Sequence, residues 1–103
     1  MNVTSFVTPG LGDSTYLFEH DGVALLVDPQ RDIDRFVEAA ANLDTRFVLE
    51  THLHNDYVSG GRSAAQATGG QLVLPASSGA AFDYLPAFHL EDLDGGSFTV
   101  RPI

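Results

Sequence analysis

The chain has 103 residues, 44% of them apolar, and sets 14 acids against 5 arginines for a formal charge of −9. Such a surface repels nucleic acid and anionic lipid, so neither is expected as a partner, and the length suits a single domain with a modest core. Without cysteine, the chain has no disulfide frame, thiolate metal site or catalytic thiol of its own.

The opening "MNVTSF" has neither the basic nor the apolar region of a signal peptide. The clearest apolar run, Val23 to Val27, is too short to cross a bilayer, and a cytoplasmic protein is the expectation. Residues 3–7 and 15–20 are rich in Val, Phe, Tyr and Thr and read as strands around the turn-rich "TPGLGDS". Asp21-Gly22 between two apolar runs predicts a two-residue hairpin, because a type I′ turn needs positive φ at both central positions. "VALLV" is apolar on both faces and reads as a buried strand stopped by Asp28-Pro29.

Asp32 is the expected cap of a helix in which Ile33, Phe36, Val37 and Ala40 follow the i, i+3, i+4, i+7 pattern, ending near Leu43. "RFVLE" at 46–50 is a short strand, expected to pair in parallel with "LVD" across that helix. Ser59 is the expected cap of a helix over "GGRSAAQAT" that Gly69-Gly70 ends, and "QLVLP" is the next strand. "SSGAAFDYL" reads as one or two helical turns, and "LEDLDGGSFTVRPI" as a turn and a final strand near 97–101. This order is that of an α/β layered domain without internal repeat or linker.

Between the strand "RFVLE" and that second helix lies "THLHNDYVSGG". In an extended stretch His52, His54 and Asp56 share one side, since the side-chain period is two, while Leu53 and Asn55 face the other. Two imidazoles and a carboxylate at the carboxyl end of a buried strand can converge on a divalent cation. A chance pair of surface histidines is the plain alternative. Against it stand the HxHxD spacing, the strand before it and the Ser-Gly-Gly helix entry after it. His20, beside the turn, and His89, among acids, read as surface residues. Tyr57 reads as a packing residue over the site, with a hydroxyl that hydrogen-bonds a metal-bound water or substrate as the alternative. Asp34, Glu38, Glu91, Asp92 and Asp94 read as solvated or turn carboxylates. Asp28 has two readings: it orients the histidine loop by hydrogen bonds, or it caps a turn.

The segment resembles the T-H-x-H-x-D-H loop of the metallo-β-lactamase superfamily, and "HNDYVSG" is similar to the loops of its persulfide dioxygenase branch, including forms fused to rhodanese domains. "GDSTYLFEHDGVALLVDPQRDIDRFVEAA" resembles that family's opening strands and first helix, and "ATGGQLVLPASSG" its next helix and strand. "LEDLDGGSFTV" resembles its L-x-D-G-D turn, with Gly96 in place of the second acid. The resemblance implies that residues 1–103 are a single partial domain. That domain is the N-terminal half of an αββα sandwich, with a mixed sheet and helices on one face. It also implies one Fe(II) in a facial triad of two histidines and an aspartate, with a thiol persulfide and O2 giving sulfite and the free thiol. His52 matches the loop's first ligand. His54 and Asp56 match positions that bind metal in the hydrolase branches and lie in or beside the iron's ligand set in the dioxygenases. Tyr57 replaces the motif's last histidine and so disfavours a second metal, and with it a glyoxalase II-like Zn(II) hydrolase, which stands as the alternative.

The chain stops at "SFTVRPI", before the family's later ligands. Little turnover is therefore expected from these residues alone. The expected partners are a C-terminal half or second chain covering the sheet, and a rhodanese domain. A catalytically silent, self-associating module is the remaining reading.

Overall fold

In the computed structural model, residues 2–8, 13–30, 33–51, 60–76, 84–88, 91–96 and 98–101 are described. Strands β1 (Asn2–Thr8), β2 (Asp13–His20) and β3 (Val23–Val27) are followed by helix α1 (Asp34–Ala39), β4 (Asp44–Leu49) and α2 (Gly60–Thr68). Strands β5 (Gln71–Pro75), β6 (Leu85–Ala87), β7 (Leu93–Asp94) and β8 (Thr99–Val100) complete the order. The first six strands form one sheet in sequential order, and β7 and β8 form a separate pair. β1, β2 and β3 run antiparallel, whereas β3 to β6 run parallel, giving the mixed sheet the sequence suggests.

The β2–β3 turn is as expected: Asp21 has φ 52° and Gly22 has φ 77°. A Cβ at Gly22 would meet nothing within 4 Å, so replacement costs only the left-handed backbone. Gly22→Ala should therefore lower stability by about 1 kcal/mol, read as a shift of the urea midpoint. An unchanged midpoint would mean that the turn relaxes to another type.

Helix α1 is shorter than its apolar pattern, and Ile33 precedes it without a side-chain cap. Asp32, the expected cap, lies outside the described residues. The chain leaves the helix early: the Leu43 N–H donates to the Ala40 carbonyl (3.0 Å) and the Asp44 N–H to the Gly22 carbonyl (2.8 Å). The hairpin carbonyl thus starts β4 at Asp44, two residues before the strand expected from "RFVLE".

Cross-strand partners share a face, which sorts the sheet into two sides. On one side Leu17, Leu26, Val48 and Leu72 lie in register across four strands. They pack with Ala24, Leu74, Phe36, Ala40, Ala64 and Ala65 into the core beneath α1 and α2. Phe6 of β1 joins this side through an edge-on contact with Phe36 at 5.1 Å. On the other side Phe18, Leu25 and Phe47 form one row, and Tyr16, Val27, Leu49 and Val73 form the next.

Strand β4 carries one extra residue relative to β3. Ala24 pairs with Thr45, but Leu25 pairs with Phe47, so Arg46 is bulged out. Thr45 therefore shares the helix side with Ala24, while Phe47 moves to the opposite side with Leu25. Such bulges are uncommon between parallel strands.

One part of the chain departs from the sequence reading. Leu85, taken as helical, begins β6, which pairs in parallel with β5 through Val73↔Leu85. Residues 77–83 of the same reading lie outside the described residues. Pro86 is tolerated in β6 because this strand is the sheet edge, where a missing N–H leaves no ladder bond unmade. The final strand near 97–101 exists as β8 and pairs antiparallel with β7 in a separate hairpin. Gly96 turns that hairpin at φ 88°, its N–H donating to Asp94 Oδ1 at 2.8 Å. Arg101 clamps the hairpin base with two bonds to Asp92 (2.7 and 3.0 Å), and this hydrogen bonding holds the Asp92 carboxyl below its ordinary value. Phe98 lies 6.4 Å from Phe47 between ring centroids, placing the hairpin on the side away from the helices. A cavity of about 270 Å³ lies there, lined by Phe18, Leu25 and residues 98–101. Toward β1 the same side is bare: Val3, Val7 and Tyr16 are 55%, 61% and 39% exposed. Among the described residues no helix is long and apolar enough to cross a membrane.

Candidate metal centre

His52, His54 and Asp56, with Tyr57 and Ser59, lie outside the described residues. The described structure supplies what stands on either side of them. They follow β4 and precede α2, at the carboxyl end of the parallel strands, where open α/β sheets place their sites.

Asp28 organises this end of the sheet. It directly follows β3 with φ 53°, a left-handed conformation that aspartate tolerates better than most residues. Its backbone is held on two sides: its N–H donates to the Leu49 carbonyl (2.8 Å), and its carbonyl accepts from the buried Thr15 hydroxyl (2.7 Å). The side chain then points at the next strand. Oδ1 accepts from the Thr51 N–H at 2.8 Å, and Oδ2 from the Thr51 hydroxyl at 2.5 Å. Of the two sequence readings for Asp28, orientation of the loop's start is the one these bonds favour, since Thr51 immediately precedes His52.

Glu50, one residue earlier, is only 7% exposed. Its N–H extends the β4–β5 ladder to the Val73 carbonyl at 3.0 Å, and its side chain lies over Gly61 in the first turn of α2. Sequence reasoning missed both Thr51 and Glu50. Thr51 was visible as the first letter of the T-H-x-H motif. Glu50 carried no signal, because its contact joins positions eleven residues apart in the sequence.

The one described histidine offers no substitute ligand. His20 Nε2 is 3.5 Å from Asp21 Oδ2, at the far end of β3 from Asp28. A five-residue strand separates the two ends by roughly 17 Å. His89 lies outside the described residues. Among the described residues no three His, Asp or Glu side chains are grouped closely enough to hold a metal. Asp34, Glu38, Glu91, Asp92 and Asp94 are exposed, as the sequence suggested.

The family profile that matches this chain is that of the metallo-β-lactamase superfamily, over residues 8–102. The chain belongs to the metallo-β-lactamase superfamily.

Its fold agrees. The crystal structure of ETHE1 from Myxococcus xanthus superposes with a TM-score of 0.85 at 22% identity, covering 98% of this chain and 47% of that one. A metallo-β-lactamase from Staphylococcus aureus gives 0.78 at 24% identity, covering 98% of this chain and 33% of that one. The BLEG-1 B3 metallo-β-lactamase gives 0.73 at 17% identity, covering 95% and 58%. The chain thus spans about half or less of the first two, and the mixed sheet with helices on one face is a metallo-β-lactamase-like half-fold. No curated protein sequence matches the chain significantly. Membership implies metal ions, and the donor set of His52, His54 and Asp56 fits a hard or borderline divalent cation such as Fe(II) or Zn(II).

Proposed function

We propose that this metallo-β-lactamase-like half-fold carries the first ligands of a mononuclear, persulfide dioxygenase-like iron site. His52, His54 and Asp56 hold the ion, and the remaining ligands come from the rest of the fold or from a second chain. That cover packs against the side bearing Val3, Val7 and Tyr16. When bound, Fe(II) would supply a centre for joining O2 to the terminal sulfur of a thiol persulfide, with water providing the third oxygen of the sulfite and the thiol released as the other product. The chain's own part is placement. Asp28 holds Thr51, so the residues after it leave β4 from a fixed start, and Tyr57, where the family's motif ends in histidine, withholds a ligand from a second ion. A rhodanese partner, which handles sulfane sulfur, suits this chemistry.

The observation that carries this reading is the two-bond hold of Asp28 on Thr51 directly before the HxHxD segment, in a chain of this superfamily. The Zn(II) hydrolase reading is kept as the alternative because two of the similar structures are metallo-β-lactamases by name. Anaerobic Fe(II) titration with native mass spectrometry, followed by O2 uptake with glutathione persulfide, separates the two. The expected result is one iron per assembly, persulfide-dependent O2 uptake, and loss of both in His52→Ala. Thioester hydrolysis without O2 uptake would replace this reading with the hydrolase. A stable metal-free oligomer would replace it with the silent module.

A further inference from the structure

Two buried or half-buried carboxylates follow the parallel strands, and only Asp28 has a role so far. Glu50 lies between the buried end of β4 and Thr51, and at 7% exposure it is the one acid among the buried described residues. An ionisable group is seldom placed there without a compensating interaction. Its surroundings identify that interaction. A Cβ at Gly61 would come within 2.5 Å of Glu50 Oε1, 2.7 Å of Cδ and 3.0 Å of Cγ, so the carboxylate rests directly on the helix backbone. Gly61 is itself buried and is the second residue of α2. Helix α2 has no acidic residue in its own first turn, where a negative charge is favoured by the helix dipole and by N–H groups that have no acceptor within the helix. Glu50 brings that charge from the neighbouring strand.

We infer that Glu50 is a positioning residue: its carboxylate pins the first turn of α2 to the end of β4 and thereby fixes the exit of the histidine segment, as Asp28 fixes its entry. Residues 52–59 then span two anchored ends, Thr51 held by Asp28 and Gly61 held by Glu50. Glycine at 61 is required for space, not for backbone freedom, because the side chain of Glu50 occupies the volume a Cβ would take. The role rests on the metal-site reading above only for its purpose. The contact itself is independent of metal.

The test is a mutant cycle in the full-length protein, read three ways. Gly61→Ala should lower the melting temperature by about 5 °C in the wild-type background, and change it little or raise it in Glu50→Ala, where the space is open. Equal effects in both backgrounds would overturn the contact. Co(II) affinity, followed through its visible absorption, should fall about tenfold or more in Glu50→Gln, with the metal-free melting temperature kept within about 3 °C. Unchanged affinity in both Glu50→Gln and Gly61→Ala would reduce Glu50 to a structural residue and overturn its positioning role. A wild-type protein that takes up no Co(II) would sink the metal reading alone, and the anchoring would then be read from amide exchange at Thr51 and Gly61. Exchange about tenfold faster in Glu50→Gln supports it, and unchanged exchange overturns it.

Discussion

Asp28→Ala should lose about 2 kcal/mol of stability and weaken metal uptake more than tenfold, because it removes two acceptors from Thr51 and leaves an alanine at a left-handed position. The loss stays below the sum of two charge-assisted bonds because Thr51 is exposed and water can replace part of what is removed. Asp28→Asn separates the contributions. Asparagine tolerates the same φ and keeps an acceptor for the Thr51 N–H, and the Thr51 hydroxyl can turn to accept from the new amide. Its cost should be about 1 kcal/mol, with most of the metal affinity retained. Urea midpoints and metal titrations on the same samples give both numbers. If Asp28→Ala matches wild type in both, Asp28 does not anchor the loop.

Phe36→Ala should be the most damaging single change in the described core. Phe36 is fully buried, meets the Phe6 ring edge-on at 5.1 Å, and lies under the Arg35 guanidinium at 4.6 Å. Truncating a buried aromatic costs about 4 kcal/mol, and a chain of this length has only about 5–15 kcal/mol in total. Much of the variant should be unfolded near 40 °C, whereas Phe36→Leu, which keeps most of the volume, should lose about 1.5 kcal/mol. Circular dichroism melts of the three proteins rank them directly. A melt of Phe36→Ala superimposable on wild type would mean that the sheet is stabilised mainly from its other side.

These two sites also mark what could be read from the sequence. Phe36 stood out because Ile33, Phe36, Val37 and Ala40 keep helical spacing, and Asp21-Gly22 because only a few residue pairs accept positive φ at both positions. The parallel pairing of β3 with β4 followed from the helix between them. The elements that escaped notice are those whose cause lies elsewhere in the chain. Strand β6 has three residues, one of them proline, and is extended because β5 offers it a parallel edge. Strand β7 has two residues and exists through its partner and the Asp92–Arg101 clamp. The early start of β4 depends on the Gly22 carbonyl, twenty-two positions before Asp44. At the candidate site, the HxHxD segment and the family were legible because ligand spacing is a local property. The grip of Asp28 on Thr51 could be suspected, but the seat of Glu50 on Gly61 could not, since nothing in either neighbourhood announces it.

The extra residue at Arg46 has a consequence for how this strand can change over time. Side chains at 46 itself face solvent, so the position should accept almost any residue. Its presence does not set the phase of the residues around it, because the bulge absorbs it. Loss of one residue there would make Thr45 and Phe47 neighbours, and neighbouring strand residues already face opposite sides, so the pairs Ala24–Thr45 and Leu25–Phe47 would persist in a regular ladder. The strand is therefore permissive toward both spelling and length at this point, and a lineage of such chains should vary freely in the letter at this position and in places omit it.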